Sequence, residues 1–370
     1  MRGEKTTLFF ASRTGIIVTG ALIGIIAALL QFLGNPPNMG ICVACFERDI
    51  AGALGLHRAA VVQYLRPEIM GFVLGSMVAA LLFGEFRSRS GSAPVIRFFL
   101  GVFAMIGALV FLGCPWRALL RLAAGDLNAV TGIAGLTVGI AIGVAFLKRG
   151  YSLGRSHKSG AVVGWVFPAF MVFLLILRIA APKLGGGAVF FSEKGPGSMF
   201  APLFISLAAG LLIGFLAQRT RFCTMGSIRD LIIMGDSHLI SGVAALVVAA
   251  FLMNLVLGQF HPGLVGMPVA HSSHLWNFLG MVLAGLAFAL AGGCPGRQLF
   301  LSGEGDGDAS LFVLGMITGA AFSHNFSLAG SPDSMADGVL KVGGIGPAGV
   351  IAVFIGLIFC LFVGFRMREE

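Results

Sequence analysis

Residues 15–33 contain no charged side chain, and apolar runs of similar length return about ten times along the chain. In a bilayer such a run spans as a helix, because a helix satisfies its own backbone where no water can. The runs fall near residues 14–34, 68–84, 97–113, 127–147, 161–181, 200–217, 238–258, 275–293, 309–329 and 346–365. A membrane barrel would instead need short alternating strands. The expected class is therefore an all-α polytopic membrane protein with the lipid bilayer as its solvent. Composition agrees: 57% of residues are hydrophobic, 11% are charged, and the mean hydropathy is +0.95.

The first run follows Arg2, Lys5 and Arg13 and ends in Asn35-Pro36-Pro37 rather than a small-residue cleavage site, so it reads as a retained anchor. Further positive clusters lie between the second and third runs (Arg87, Arg89, Arg97) and after the fourth (Lys148, Arg149, Arg155, Lys158). Arg366 and Arg368 follow the tenth. Segments 182–198 and 259–274 carry few positive residues. An even number of spans then puts both termini on the cytoplasmic side of a cell (inner) membrane. The formal net charge of +9 reports cytoplasmic loops on this reading, and no nucleic-acid partner is expected.

One short motif occurs twice. Gly113-Cys114-Pro115-Trp116-Arg117 is matched by Gly293-Cys294-Pro295-Gly296-Arg297. Upstream stand Cys42, followed by Arg48-Asp49, and Cys223, followed by Arg229-Asp230. The intervals between the paired cysteines are 72 and 71 residues. The spacing predicts a duplication, with halves 1–185 and 186–370. Five spans per half force the copies to enter the membrane in opposite directions, giving two inverted repeats with pseudo-twofold symmetry. Segment 34–67 is too apolar for an exposed loop and too interrupted to span. It and its partner 221–235 are expected to be re-entrant, with short helices lining a polar cavity.

In Gly-Cys-Pro-x-Arg, proline favours the first turn of a helix, which puts the cysteine at the N-cap. A helix starting inside the membrane directs free N–H groups and the positive end of its dipole at whatever lies there. Arg117 and Arg297, one turn in, add positive charge. The combination makes a niche for a small anion with a soft atom. A lone copy could equally be a helix break filled by a small hydrophobe; the doubling favours the site.

Arg48, Asp49, Arg229 and Asp230 are candidates for support. Neighbours in sequence do not share a helix face, so each is expected to find another partner, by bracing the short helices or by meeting substrate. Asp126 and Asp306 read as helix caps. Cys42-Val43-Ala44-Cys45 spells a redox dithiol or half a zinc site, but Gly226 stands where a second pair would need its cysteine, so no metal is expected. Cys360 reads as packing. His261, His271 and His274 crowd an outer segment as solvated side chains or an entrance. No P-loop, Ser-His-Asp or H-E-x-x-H pattern is present, so neither an enzyme nor a cofactor is expected.

At these residues the chain resembles the YeeE/YedE family of membrane proteins with sulfur-transport domains. The run Leu33 to Cys45, with Leu56-His57-Arg58-Ala59-Ala60 and Arg66-Pro67-Glu68, resembles the selenium-metabolism YedE/FdhT branch. The resemblance implies an hourglass-like interior whose cysteines pass a thiosulfate-like or inorganic selenium anion inward by weak thiol–sulfur hydrogen bonds. That role would fall on Cys114, Cys223 and Cys294, with Cys42 as the fourth symmetric position and Cys45 in an N-terminal elaboration. A cytoplasmic sulfur or selenium carrier protein would be a partner. The rival expectation is a membrane thiol-disulfide exchanger using Cys42 and Cys45.

Overall fold

Among the described residues, long apolar helices fall at the apolar runs that predict them. The computed structural model describes residues 9–181, 189–336 and 339–368. Arg2, Lys5 and the expected boundary at 185/186 lie outside the described residues. The long helices are α1 (Arg13–Phe32), α3 (Pro67–Leu82), α4 (Pro94–Val110), α6 (Asn128–Lys148) and α7 (Ala161–Ala180) in the first half. In the second they are α8 (Leu203–Thr220), α10 (His238–Val256), α11 (His274–Ala291), α13 (Gly307–Asn325) and α14 (Pro347–Arg366). Among the described residues, four short helices interrupt them: α2 (Val43–Ala53), α5 (Pro115–Ala123), α9 (Thr224–Met234) and α12 (Pro295–Gly303).

By length and apolarity, eight segments qualify as spans on their own, three of them a long helix taken with the short one that follows. α3 is too short for that standard, and α13 carries Asp308 at one end and His324-Asn325 at the other. Both are nevertheless packed among the rest. Minor strand pieces add to the helices: β1 (Arg89–Ser90) pairs with β2 (His157–Lys158), and β3 (Ser334–Ala336) pairs with β4 (Val339–Lys341).

The helices pack reciprocally across the halves. α1 lies on α10 while α3 lies on α8, and α4 lies on α13 while α6 lies on α11. Exchanging the two halves maps each of these contacts onto another. Glycine makes the approach possible. A Cβ on Gly71 would lie 2.7 Å from the backbone nitrogen of Leu211, and one on Gly75 would collide with the Leu211 carbonyl. Gly20 and Gly24 meet the α10 backbone in the same way. Lipid tails give apolar helices no hydrophobic reason to associate, so close backbone contact through small residues supplies the packing.

The loops gather at two ends. At the basic end, Arg87 N donates to Glu304 O at 2.9 Å, Ser159 N to Ser88 O at 3.1 Å, and Ser152 N to Met367 O at 3.2 Å. At the opposite end, His261 N donates to Ala124 O at 2.9 Å and Phe190 N to Ala53 O at 2.9 Å. Thus α2 and α5 run from the interior toward one end, and α12 runs toward the other.

Candidate functional site

Each of the four matched cysteines is the N-cap of a short helix. Cys42 caps α2, Cys114 α5, Cys223 α9 and Cys294 α12. The sequence motif foretold this for Cys114 and Cys294; the structure adds the other two. The Cys42 sulfur accepts from Cys45 N at 3.4 Å, and the Cys223 sulfur from Gly226 N at 3.2 Å. Sulfur is a weak acceptor, so these caps leave the helix ends only lightly satisfied.

The thiols come together in two pairs, one in each half. Cys42 Sγ lies 3.8 Å from Cys114 Sγ, and Cys223 Sγ lies 3.7 Å from Cys294 Sγ. All six cysteines are free and buried. The Cys45 thiol donates to Leu112 O at 3.7 Å, while its backbone N–H donates to Cys42 Sγ. Cys360 lies buried within α14.

A tight turn delivers each motif cysteine. The residue two before it is left-handed, with φ of 64° at Leu112 and 84° at Gly292. Glycine adopts that conformation freely, whereas leucine is strained there. The Leu112 carbonyl is held by the Arg117 guanidinium and the Cys45 thiol, which pins the strained turn.

The two arginines of the motif differ. Arg117 is fully buried and donates to the carbonyls of Leu112, Asn38 (3.3 Å), Pro268 (3.4 Å) and Val269 (2.9 Å), and to Cys45 Sγ (3.5 Å). Its charge is spread over backbone oxygens, so it fixes the segment around Pro268 and Val269 onto α5. Arg297 pairs with Glu304 at 3.3 Å and keeps 13% of its side chain exposed. Glu304 also takes Arg221 at 3.1 Å, and Arg89 stands 3.8 Å away. Sequence reasoning missed Glu304; its only signal was a carboxylate seven residues after Arg297.

The expectation that Arg48 and Asp49 need separate partners is corrected. Arg48 Nη2 lies 2.7 Å from Asp49 Oδ1, and Arg229 Nε lies 2.8 Å from Asp230 Oδ1. A guanidinium is long enough to fold back on the next residue. Asp49 also takes Arg66 at 2.7 Å, and Arg66 donates onward to Met199 O and Pro196 O. That network clamps α2 to the start of the second half. Asp306 caps α13 through Ala309 N as expected. Asp126 Oδ1 accepts from Asn128 N at 3.0 Å while Oδ2 takes Arg121 at 2.6 Å. His271 is a second correction, since it is buried and its Nε2 meets Val110 O at 2.7 Å. His261 is exposed and lines a cavity of about 210 Å³ beside Asn38 and Pro268, directly outside Arg117.

Comparison with known proteins finds similarity over part of the chain. Residues 219–369 match the family model described as Sulphur transport. That match covers less than half of the chain. Two curated relatives are each named Thiosulfate transporter TsuA. The Escherichia coli K12 protein is 32% identical over 108 residues, covering 29% of this chain and 30% of the relative. The Spirochaeta thermophila protein is 29% identical over 164 residues, covering 42% and 48%. The chain thus spans less than half the length of either transporter. An uncharacterized Methanocaldococcus jannaschii protein is 28% identical over 97 residues, which is 23% of this chain and 92% of that protein. The family match includes the second thiol pair, Cys223 and Cys294, with Arg297 and Glu304.

Proposed function

We propose that the protein is a multi-pass transporter that carries a small sulfur-containing anion, thiosulfate-like in its chemistry, into the cell. The observation that carries this reading is the arrangement of four buried thiols as two close pairs, each at the N-termini of two short helices. Helix N-termini attract anions by their free N–H groups and dipoles. Thiols add weak contacts suited to a soft sulfur atom. Weak repeated sites favour passage, because tight binding at one would hold the anion there.

The path runs from the cavity beside Asn38 and His261, past Cys42 and Cys114, to Cys223 and Cys294, and out by Arg297 and Glu304. Arg117 supports the first pair by position rather than by contact with the anion, while Arg297 stands closer to water and meets it directly. Arg48, Asp49, Arg229 and Asp230 brace the short helices. The basic end faces the cytoplasm of the inner membrane, which follows from its Lys and Arg loops. There the anion passes to a cytoplasmic carrier or enzyme. The inverted repeat is supported by the reciprocal packing of the long helices. A selenium analogue would use the same thiols, so the choice of chalcogen is an arm of the test.

The test is uptake into proteoliposomes of thiosulfate, selenite and sulfate side by side. The reading expects thiosulfate to enter faster than sulfate. Equal rates would remove soft-atom recognition, and no flux of any of them through folded protein would remove transport.

A further inference from the structure

The two copies of the motif differ at one position, Trp116 against Gly296, and the two residues are in contact. A Cβ built on Gly296 would lie 3.2 Å from Trp116 Cζ2 and 3.4 Å from Cε2. The indole, which begins on the helix of the first thiol pair, therefore rests on the helix start of the second. Three phenylalanines surround it, with ring centroids at 5.9 Å (Phe72), 5.8 Å (Phe222) and 6.1 Å (Phe300). Phe222 adjoins Cys223. Trp116 thus stands between the pairs and touches the elements of both.

Its polar atom is unused. Trp116 is 1% exposed, and its Nε1–H has no hydrogen-bond partner among the described residues. Buried indoles usually find one, and a buried donor left unmade is costly. The atom is bonded to Cε2, the side of the ring that lies on the α12 N-terminus. A second orphan lies close in sequence to the second pair: Thr224 Oγ1, next after Cys223, is buried and also unpartnered.

We propose that Trp116 Nε1–H, assisted by Thr224 Oγ1, donates hydrogen bonds to an oxygen of the anion as it passes between the thiol pairs. The inference rests on the transport reading and deepens it by naming the substrate class. The anion that uses every contact carries a soft terminal atom for the thiols and acceptor oxygens for the indole. Thiosulfate has both. Sulfate lacks the first and hydrosulfide lacks the second. The aromatic box excludes water around the donor, which strengthens a hydrogen bond made there. A side chain at Gly296 would press on the face of the indole, since its Cβ would lie 3.2 Å from Cζ2.

Trp116→Phe keeps an aromatic ring and removes only the donor, and Thr224→Val removes the hydroxyl at nearly constant shape. Thiosulfate and hydrosulfide uptake are measured in proteoliposomes, and thiosulfate binding to the purified protein is measured by calorimetry. Losing one hydrogen bond to a charged group corresponds to roughly a tenfold weaker interaction. The expected result is about a tenfold rise in both KM and Kd for thiosulfate with Trp116→Phe, a smaller rise with Thr224→Val, and no change for hydrosulfide. Wild-type KM in both variants would overturn the donor role and leave transport standing. Binding that depends on Trp116 without any wild-type flux would uphold the donor and overturn transport. Should Trp116→Phe fail to fold, an unchanged Kd in Thr224→Val overturns the proposed site.

Discussion

Arg66 Nη2 lies 2.7 Å from Asp49 Oδ2, and neither side chain reaches solvent. The same carboxylate holds Arg48, so Asp49 bridges Arg48, on the helix that begins at Cys42, and Arg66, at the start of α3. Removing one partner of a buried pair leaves an uncompensated charge and costs about 3–5 kcal/mol. Asp49→Ala is expected to lose stability on that scale, read as a clear fall in Tm of the detergent-solubilised protein. Asp49→Asn, which keeps an acceptor, should lose less. Equal melting of both variants and the parent would mean that the network does not hold α2.

Helix spacing makes a separate demand. Gly75 faces the Leu211 carbonyl so closely that an added methyl has no room. Gly75→Ala should push α3 from α8 at a cost of about 1–3 kcal/mol, the usual range for overpacking. Gly84→Ala, where the added methyl meets nothing but the backbone is left-handed, should cost less. Thermal unfolding of the two variants in one detergent checks the order.

The basic end carries a pH-sensitive contact. Burial alone would raise the Glu85 carboxyl, but hydrogen bonds from Gln218 and Arg219 and the charges of Arg221 and Arg219 outweigh it and hold it below its ordinary value. A depressed carboxylate stabilises the fold fully above the unfolded value, about 4.3, and loses that contribution as pH falls through the lower folded value. Acidification below about pH 4 should therefore loosen the link between residues 85–92 and α8. Glu85→Gln should abolish that part of the acid sensitivity, as read by amide exchange across residues 84–92.

Cys45 separates the transport reading from thiol-disulfide exchange. Its thiol faces the Leu112 carbonyl, while Cys42 faces Cys114. Cys45→Ala is expected to retain most thiosulfate uptake, with a modest loss from the weakened hold on Arg117. Loss of all uptake, together with a trapped mixed disulfide at Cys42, would favour the exchanger.

Much of this architecture is legible in the residues. The apolar runs marked long helices because a bilayer leaves a spanning backbone little choice. Proline after cysteine placed Cys114 and Cys294 at helix starts because proline's missing N–H costs nothing there. Pairing was less legible. Nothing local says that Cys42 meets Cys114 across 72 residues, since that depends on how α2 folds back into the membrane. Arg117 illustrates the same limit: its charge read as available, but the Leu112, Pro268 and Val269 carbonyls that occupy it come from turns whose shape only the fold reveals. Trp116 and Gly296 differed openly in the motif, yet their complementarity appears only when the two halves are in contact.

The central claim is that the paired thiols conduct the anion. The most direct measurement is the initial rate of labelled thiosulfate entry into proteoliposomes for the parent protein and for Cys42→Ala, Cys114→Ala, Cys223→Ala and Cys294→Ala, each shown to be folded. The account predicts at least a tenfold fall for Cys114→Ala, Cys223→Ala and Cys294→Ala, a clear fall for Cys42→Ala, and little change for Cys360→Ala. Parent-like rates in all four would contradict it.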